Sequence, residues 1–460
     1  MKKVLLASVA LVALGAASAQ ASEPLKLTVG GFLQEMVGYV DNHGFNQSTA
    51  PGSVHLSQVD VNSLGLIQFK ASTTLDNGIS AAVNIDTFAS SGTSSKSAAS
   101  SSCGRTPWGQ FTKSSAGGAA FELGAPNCGN NTNIYRSYGT LSGGFGSLII
   151  GQREDATYII HNTAPDVSTY GPVGDSFVGN VGNIPTFHHV YQQDNTTRYD
   201  GTTSKISYIS PSFMGAAIAA TYNPSMSYIG NSSSPADATS GDTPVYFPQG
   251  RSNGMDYNGD LYAAGLAYNN KFGNIGVKAD FSVAQANVAN LRMYNGGTQI
   301  SFAGFTVGGS FFNREVPTGA TIGGMYSQAQ VTGILNNSNG AGGVQQPLLA
   351  GTVTPNAYAR YGAFAGNNWT GGVSYATGPY AVSFALFHDN TKEIAVMNGT
   401  GKADSTLTYE FGAAYTMGPG VKLNAGIGYF DYKGDAGVAA TPWTSKNDGV
   451  FVATGLRLDF

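Results

Sequence analysis

The stretch Ile134–Asp155, IYRSYGTLSGGFGSLIIGQRED, decides how the rest of the chain is read. Its side chains alternate with a period of two. Tyr135, Ser137, Gly139 and Leu141 share one phase, and Arg136, Tyr138 and Thr140 share the other. After the turn Ser142–Gly146, Leu148 and Ile150 fall on one face, with Ile149, Gly151 and Arg153 on the other. Successive strand residues point to opposite faces, so the spacing predicts a β-hairpin. Residues Glu154–Thr197 follow without a clear strand pattern. They contain five acids, Glu154, Asp155, Asp166, Asp175 and Asp194, and no Lys or Arg. A connection this long is normally disordered or functional.

Outward from this hairpin, the same unit recurs along the chain. Strands are predicted at Leu25–Val40, Val61–Leu75 and Ile79–Phe88, the last two joined by the tight turn Asp76-Asn77-Gly78. Further pairs flank the turns Ser210–Met214, Asn269–Asn274, Ala303–Phe305, Ala376–Pro379 and Thr416–Gly420, and a final strand spans Asp448–Phe460. That makes sixteen strands whose connections alternate between seven short turns and eight longer polar loops. An outer-membrane barrel has this topology, whereas a soluble sandwich gives no reason for it. Closure is required, because in lipid every backbone N–H and C=O must be paired and an open sheet leaves edges. Sixteen tilted strands enclose an aqueous channel rather than a packed core. The inward phase is accordingly polar: Lys278, Asp280, Thr408, Glu410, Lys422, Asn424, Arg457 and Asp459 all lie opposite the apolar residues. Glu35 departs from the pattern by sharing its phase with Leu33 and Val37. It lies above the lipid zone, follows a bulge, or faces a neighbouring subunit.

Composition agrees. The 460 residues include 63 glycines and are 11% aromatic and 11% charged, against roughly 25% charged in soluble domains. Beyond the N-terminus no apolar run reaches the ~18 residues of a membrane helix. Tyr39, Tyr268, Trp369, Tyr380 and Tyr429 near strand ends fit interfacial girdles, although aromatic residues also favour strands in general. Residues 1–21 read as a signal peptide, with Lys2 and Lys3 before the apolar segment Val4–Ala17 and small residues at Ala17-Ser18-Ala19 and Ala19-Gln20-Ala21; residues 22–460 form the barrel domain. A formal charge of −4 without a basic patch gives no reason to expect nucleic acid. Cys103 and Cys128 are the only cysteines; an even count in an exported chain favours one disulfide, with two free thiols as the alternative.

The words YGTLSGGFGSLIIGQRED resemble the fourth and fifth strands of Gram-negative general porins, and the chain looks closest to the alphaproteobacterial type. The C-terminal strand GVFVATGLRLDF, ending on Phe460, resembles the terminal strand read by the outer-membrane barrel assembly machinery. The resemblance implies a third loop folded into the barrel to narrow it, a homotrimer embedded among lipid and lipopolysaccharide, and passive diffusion of ions and small hydrophilic solutes. It further implies a constriction in which loop acids face wall bases. Here these are Asp155, Asp166 and Asp175 against Lys70 and Arg136, with solvated loop and rim charges as the alternative. The dense arginine cluster and short acidic loop motif of enterobacterial porins are missing. With the acidic loop inside a lumen, the expectation is weak cation selectivity. No enzyme constellation or cofactor motif stands out. His188-His189 sit in a Gly/Asn-rich loop without ligand spacing. A substrate-selective porin, for sugars or anions, and a plugged surface barrel remain as alternatives.

Overall fold

A computed structural model of the chain describes residues 24–43, 58–89, 134–168, 203–224, 260–286, 291–315, 365–392, 404–433 and 446–460. The signal segment, Cys103, Cys128, Asp175 and His188-His189 lie outside the described residues. Sixteen strands form one closed antiparallel barrel: β1 (Lys26–Asn42), β2 (Val59–Thr74), β3 (Ser80–Phe88), β4 (Ile134–Gly143), β5 (Gly146–Gln152), β6 (Ser204–Ile209), β7 (Ala216–Asn223), β8 (Leu261–Phe272), β9 (Ile275–Ala286), β10 (Leu291–Phe302), β11 (Phe305–Glu315), β12 (Ala365–Thr377), β13 (Tyr380–Lys392), β14 (Asp404–Gly418), β15 (Val421–Lys433) and β16 (Lys446–Asp459). Each strand pairs with its sequence neighbours, and β1 pairs with β16 from Phe32↔Asp459 to Asn42↔Gly449. The chain's last residue completes that seam, since Phe460 and Gly31 exchange backbone hydrogen bonds of 3.0 and 2.9 Å. No edge is left for water to satisfy.

The period-two pattern becomes two faces. Val37, Ile206, Leu266, Phe281, Val307, Phe411, Ile427 and Val452 are exposed on the outside, Phe411 by as much as 62%. A soluble protein could not hold so much apolar surface in water, whereas lipid accommodates it. Rings gather toward the strand ends. Tyr380 stacks on Tyr415 at 5.0 Å and Phe305 meets Tyr375 at 4.5 Å near the short turns, while Trp369 stacks on His388 at 5.6 Å and Tyr409 on Tyr429 at 5.4 Å toward the loops. Amphipathic rings at two levels are the girdles of a membrane barrel.

Two local features depart from the sequence reading. Strand β8 continues through Phe272, so the turn to β9 is Gly273-Asn274 rather than the longer Asn269–Asn274. The β3–β4 ladder shifts register between Asp86 and Thr87, leaving Tyr135 as an extra residue opposite them. Such a bulge breaks the alternation of faces. Tyr135 and Arg136, expected on opposite sides, therefore both reach Glu154.

Candidate functional site: a loop latched inside the barrel

The segment after β5 turns into the barrel and runs along the inner wall. Its first turn is a short helix, α1 (Ala156–Ile160). Asp155 caps it, accepting a 2.8 Å hydrogen bond from Tyr158 N and another from Thr157 Oγ1; such a cap contributes about 1 kcal/mol. Ala156 N donates to Thr221 Oγ1 on β7 at 2.8 Å, and Lys205 Nζ on β6 donates to Arg153 O at 2.7 Å.

Past the helix, Asp280 on β9 is the strongest hold. Its carboxylate accepts from Asn162 N at 2.7 Å, from Asn162 Nδ2 at 2.9 Å and from His161 Nδ1 at 2.7 Å. The His161 and Asp280 side chains are essentially enclosed, so these charge-assisted bonds form away from bulk water and are correspondingly strong. Gln299 Nε2 on β10 donates to Thr163 O at 2.8 Å, Ala164 N donates to Thr370 Oγ1 on β12 at 3.3 Å, and Val167 N donates to Ser383 Oγ on β13 at 3.1 Å. One stretch of loop thus touches the wall from β6 to β13.

It can lie this close because the wall has no side chains beneath it. A Cβ at Gly297 on β10 would sit 1.7 Å from Asn162 O, and one at Gly412 on β14 would sit 2.9 Å from Ser168 Cβ. Gly265, Gly308 and Gly372, on β8, β11 and β12, make the same room for Ile160, Pro165 and Ala164. All five glycines fall on the inward phase of their strands, so together they form a groove that admits a backbone.

The candidate constriction residues separate into different roles. Arg136 is drawn to Glu154, another of the loop acids, which lies at the centre of a buried cluster and is 2% exposed. Arg136 grips it with a fork of 2.7 and 2.6 Å bonds, Tyr135 OH donates to it at 2.6 Å, and Arg136 also reaches Asp86 at 3.3 Å. Arg136 is thus neutralised by two carboxylates. Asp155 has no exposed surface; it caps α1 instead of facing the water path, because capping needs its oxygens against the helix N-terminus. Asp166 is half-buried and accepts from Ser168 N and Oγ, both at 3.0 Å. Lys70 on β2 stands exposed on the inward phase, as does Lys278 on β9. On the wall that this part of the loop leaves uncovered, Asp459 binds Lys422 at 3.3 Å and Arg457 at 2.8 Å. Asp280 and the glycine groove were not singled out from the sequence. Their signal was present in the inward phase of an acid and in the recurrence of glycine at that phase on neighbouring strands.

A closed sixteen-stranded barrel with an apolar exterior, two aromatic girdles and a loop latched along its inner wall has the architecture of a membrane channel. A family model described as Gram-negative porin matches residues 7–435, and the chain belongs to that family. It is an outer-membrane porin channel for passive transport, in a family of non-enzymatic channels. Among solved structures, the chain is similar to OmpT, an outer membrane protein of Vibrio cholerae, at 11% identity over 96% of this chain and 100% of that one, with a TM-score of 0.49. It is also similar to an anion-selective porin from Comamonas acidovorans, at 12% identity over 95% and 100%, with a TM-score of 0.48. A search of curated protein sequences finds no match.

Proposed function

We propose that the channel is a general diffusion porin, working as a trimer and passing ions and small hydrophilic solutes with little charge discrimination and no catalysis. The observation that carries this reading is the fate of the loop acids. Glu154 is neutralised by Arg136 and Asp155 is enclosed as a helix cap. Among the described residues of the loop, this leaves Asp166 as the acid with access to the lumen, while Lys70 and Lys278 stand exposed on the wall. Local field near a narrow path, not net charge, sets ion preference. The cation preference expected from five loop acids is therefore reduced to a weak one, carried by Asp166 and by Asp175 and Asp194 if they border the path. Sequence resemblance supports the trimer, and the terminal Phe460 supports insertion by the barrel assembly machinery. The test is conductance in planar bilayers with reversal potentials in a KCl gradient. Ohmic steps with a small positive cation preference support the proposal. Block by micromolar sugar or anion would assign a selective porin, and absent conductance a plugged barrel.

A further inference from the structure

The far end of the loop segment closes over a carboxyl group that none of the contacts above uses. Glu410 lies on the inward phase of β14, in register with Ala385 on β13 and Gly428 on β15, and is 1% exposed. Ala164 of the loop packs on Ala385. Ser168 lies over Gly412 on β14, where a Cβ would sit 2.9 Å from its own. On the other side the carboxyl fills the space above Gly426, whose Cβ would collide with Oε1. Glu410 is therefore enclosed between the wall and the loop.

Neither of its carboxyl oxygens receives a hydrogen bond of ordinary geometry. The wall around it carries no charge: its neighbours are Ser383, Ala385 and Phe387 on β13 and Asn424, Gly426 and Gly428 on β15. Among the described residues the charge that faces it is Asp166 on the loop, with the Ser168 hydroxyl beside it. Asp389, farther along β13, faces Arg314 on β11, and Lys422, at the other end of β15, is bound to Asp459. Two carboxyls facing each other in an enclosed place cannot both be charged, and a buried charge without donors is costly. The two are not equivalent. Asp166 is half-buried and already accepts from Ser168 N and Oγ, both at 3.0 Å. Glu410 has neither water nor donors. The proton of the pair therefore belongs on Glu410, and a neutral acid has an O–H to give.

We infer that Glu410 is a positioning residue that holds the far end of the loop against β14 as a neutral acid, its O–H donated to the Asp166–Ser168 turn, so that a proton controls the hold. The hold is present while Glu410 keeps its proton. It is lost as rising pH removes the proton, because two enclosed carboxylates then repel each other. This concerns how the loop is held and does not depend on the ion preference proposed above.

The experiment follows amide hydrogen exchange of loop residues Ala156–Ser168 by mass spectrometry. It compares the full-length wild type with Glu410→Gln and Glu410→Ala, in mildly acidic and in alkaline buffer. Variants are compared at one pH at a time, which cancels the intrinsic pH dependence of exchange. The His161–Asp280 and Arg136–Glu154 pairs are present in all three proteins and cancel as well. In mild acid, wild type and Glu410→Gln are equally protected, since the amide supplies a donor in place of the O–H. Glu410→Ala exchanges about tenfold faster or more, the loss of a hydrogen bond to a charged group. In alkaline buffer, wild type falls toward the level of Glu410→Ala, while Glu410→Gln keeps its protection. Wild type and Glu410→Gln exchanging alike in alkaline buffer would remove the proton from the hold. Glu410→Ala protected like wild type in acid would remove Glu410 from it. Should Glu410→Ala fail to form a barrel, as read by circular dichroism, the comparison of wild type with Glu410→Gln still decides.

Discussion

Replacing Asp280 by Ala tests whether the loop is held where the structure places it. The carboxylate accepts three bonds of 2.7, 2.7 and 2.9 Å from His161 and Asn162. A hydrogen bond to a charged group contributes roughly 1.5–3 kcal/mol. The three share one acceptor and do not add fully, so the loss comes to about 3–5 kcal/mol. Past the helix the remaining anchors, at Gln299, Thr370 and Ser383, are neutral, at ~1 kcal/mol each. Removing Asp280 thus takes away about half or more of the polar hold on that part of the segment, while the charged holds before the helix, Lys205 on Arg153 O and Arg136 on Glu154, stay in place. The barrel should survive, because β9 keeps its backbone ladders to β8 and β10. In single-channel recordings Asp280→Ala should show larger and noisier open currents, with the thermal unfolding midpoint of the barrel unchanged. Asp280→Asn, which retains an acceptor for Asn162 N, should fall between. If Asp280→Ala conducts as wild type in amplitude and noise, with the barrel intact, the latch does not set the bore.

Gly297→Val should disturb the same segment by another route, since a Cβ there meets Asn162 O at 1.7 Å; altered conductance with normal folding checks it. Arg136→Gln leaves Glu154 and Asp86, each 2% exposed, without their guanidinium partner; breaking a buried pair from one side costs about 3–5 kcal/mol, readable as a lower unfolding midpoint. Lys70→Gln should increase cation preference and Asp166→Asn decrease it, both measured as shifts in reversal potential; equal potentials in both variants would remove these residues from the ion path. His43, beyond the end of β1, has its pKa raised chiefly by the hydrogen bond to Asp448 on β16 at 2.9 Å. A raised folded pKa means that this contribution to the barrel seam is fully present below the unfolded value of 6.5 and is lost as pH rises through the folded value. His43→Gln should abolish that pH-dependent part of stability, which is small because the pair is exposed and screened.

The fold was legible in the sequence because a membrane barrel writes its geometry residue by residue. Alternation fixes which side chain faces lipid, turn residues mark the short connections, and closure follows from the need to pair every backbone group. Phe411 and Val307 outside, and Asp280 and Arg457 inside, could all be placed from phase alone. What failed were features that phase does not carry. A single-residue bulge moved Tyr135 onto the face of Arg136, and nothing in the local sequence marks it. The roles of Glu154 and Asp155, adjacent acids in one loop, differ because one meets Arg136 across the lumen wall and the other meets the amide end of a helix. The groove is likewise a tertiary object. Gly265, Gly297, Gly308, Gly372 and Gly412 lie far apart in sequence and become one track only when strands β8 to β14 stand side by side. Sequence by itself determined the wall, because each strand reports its own two faces; the course of the loop along it was decided by contacts between residues as far apart as Val167 and Ser383, which exist only once the barrel has closed around the loop.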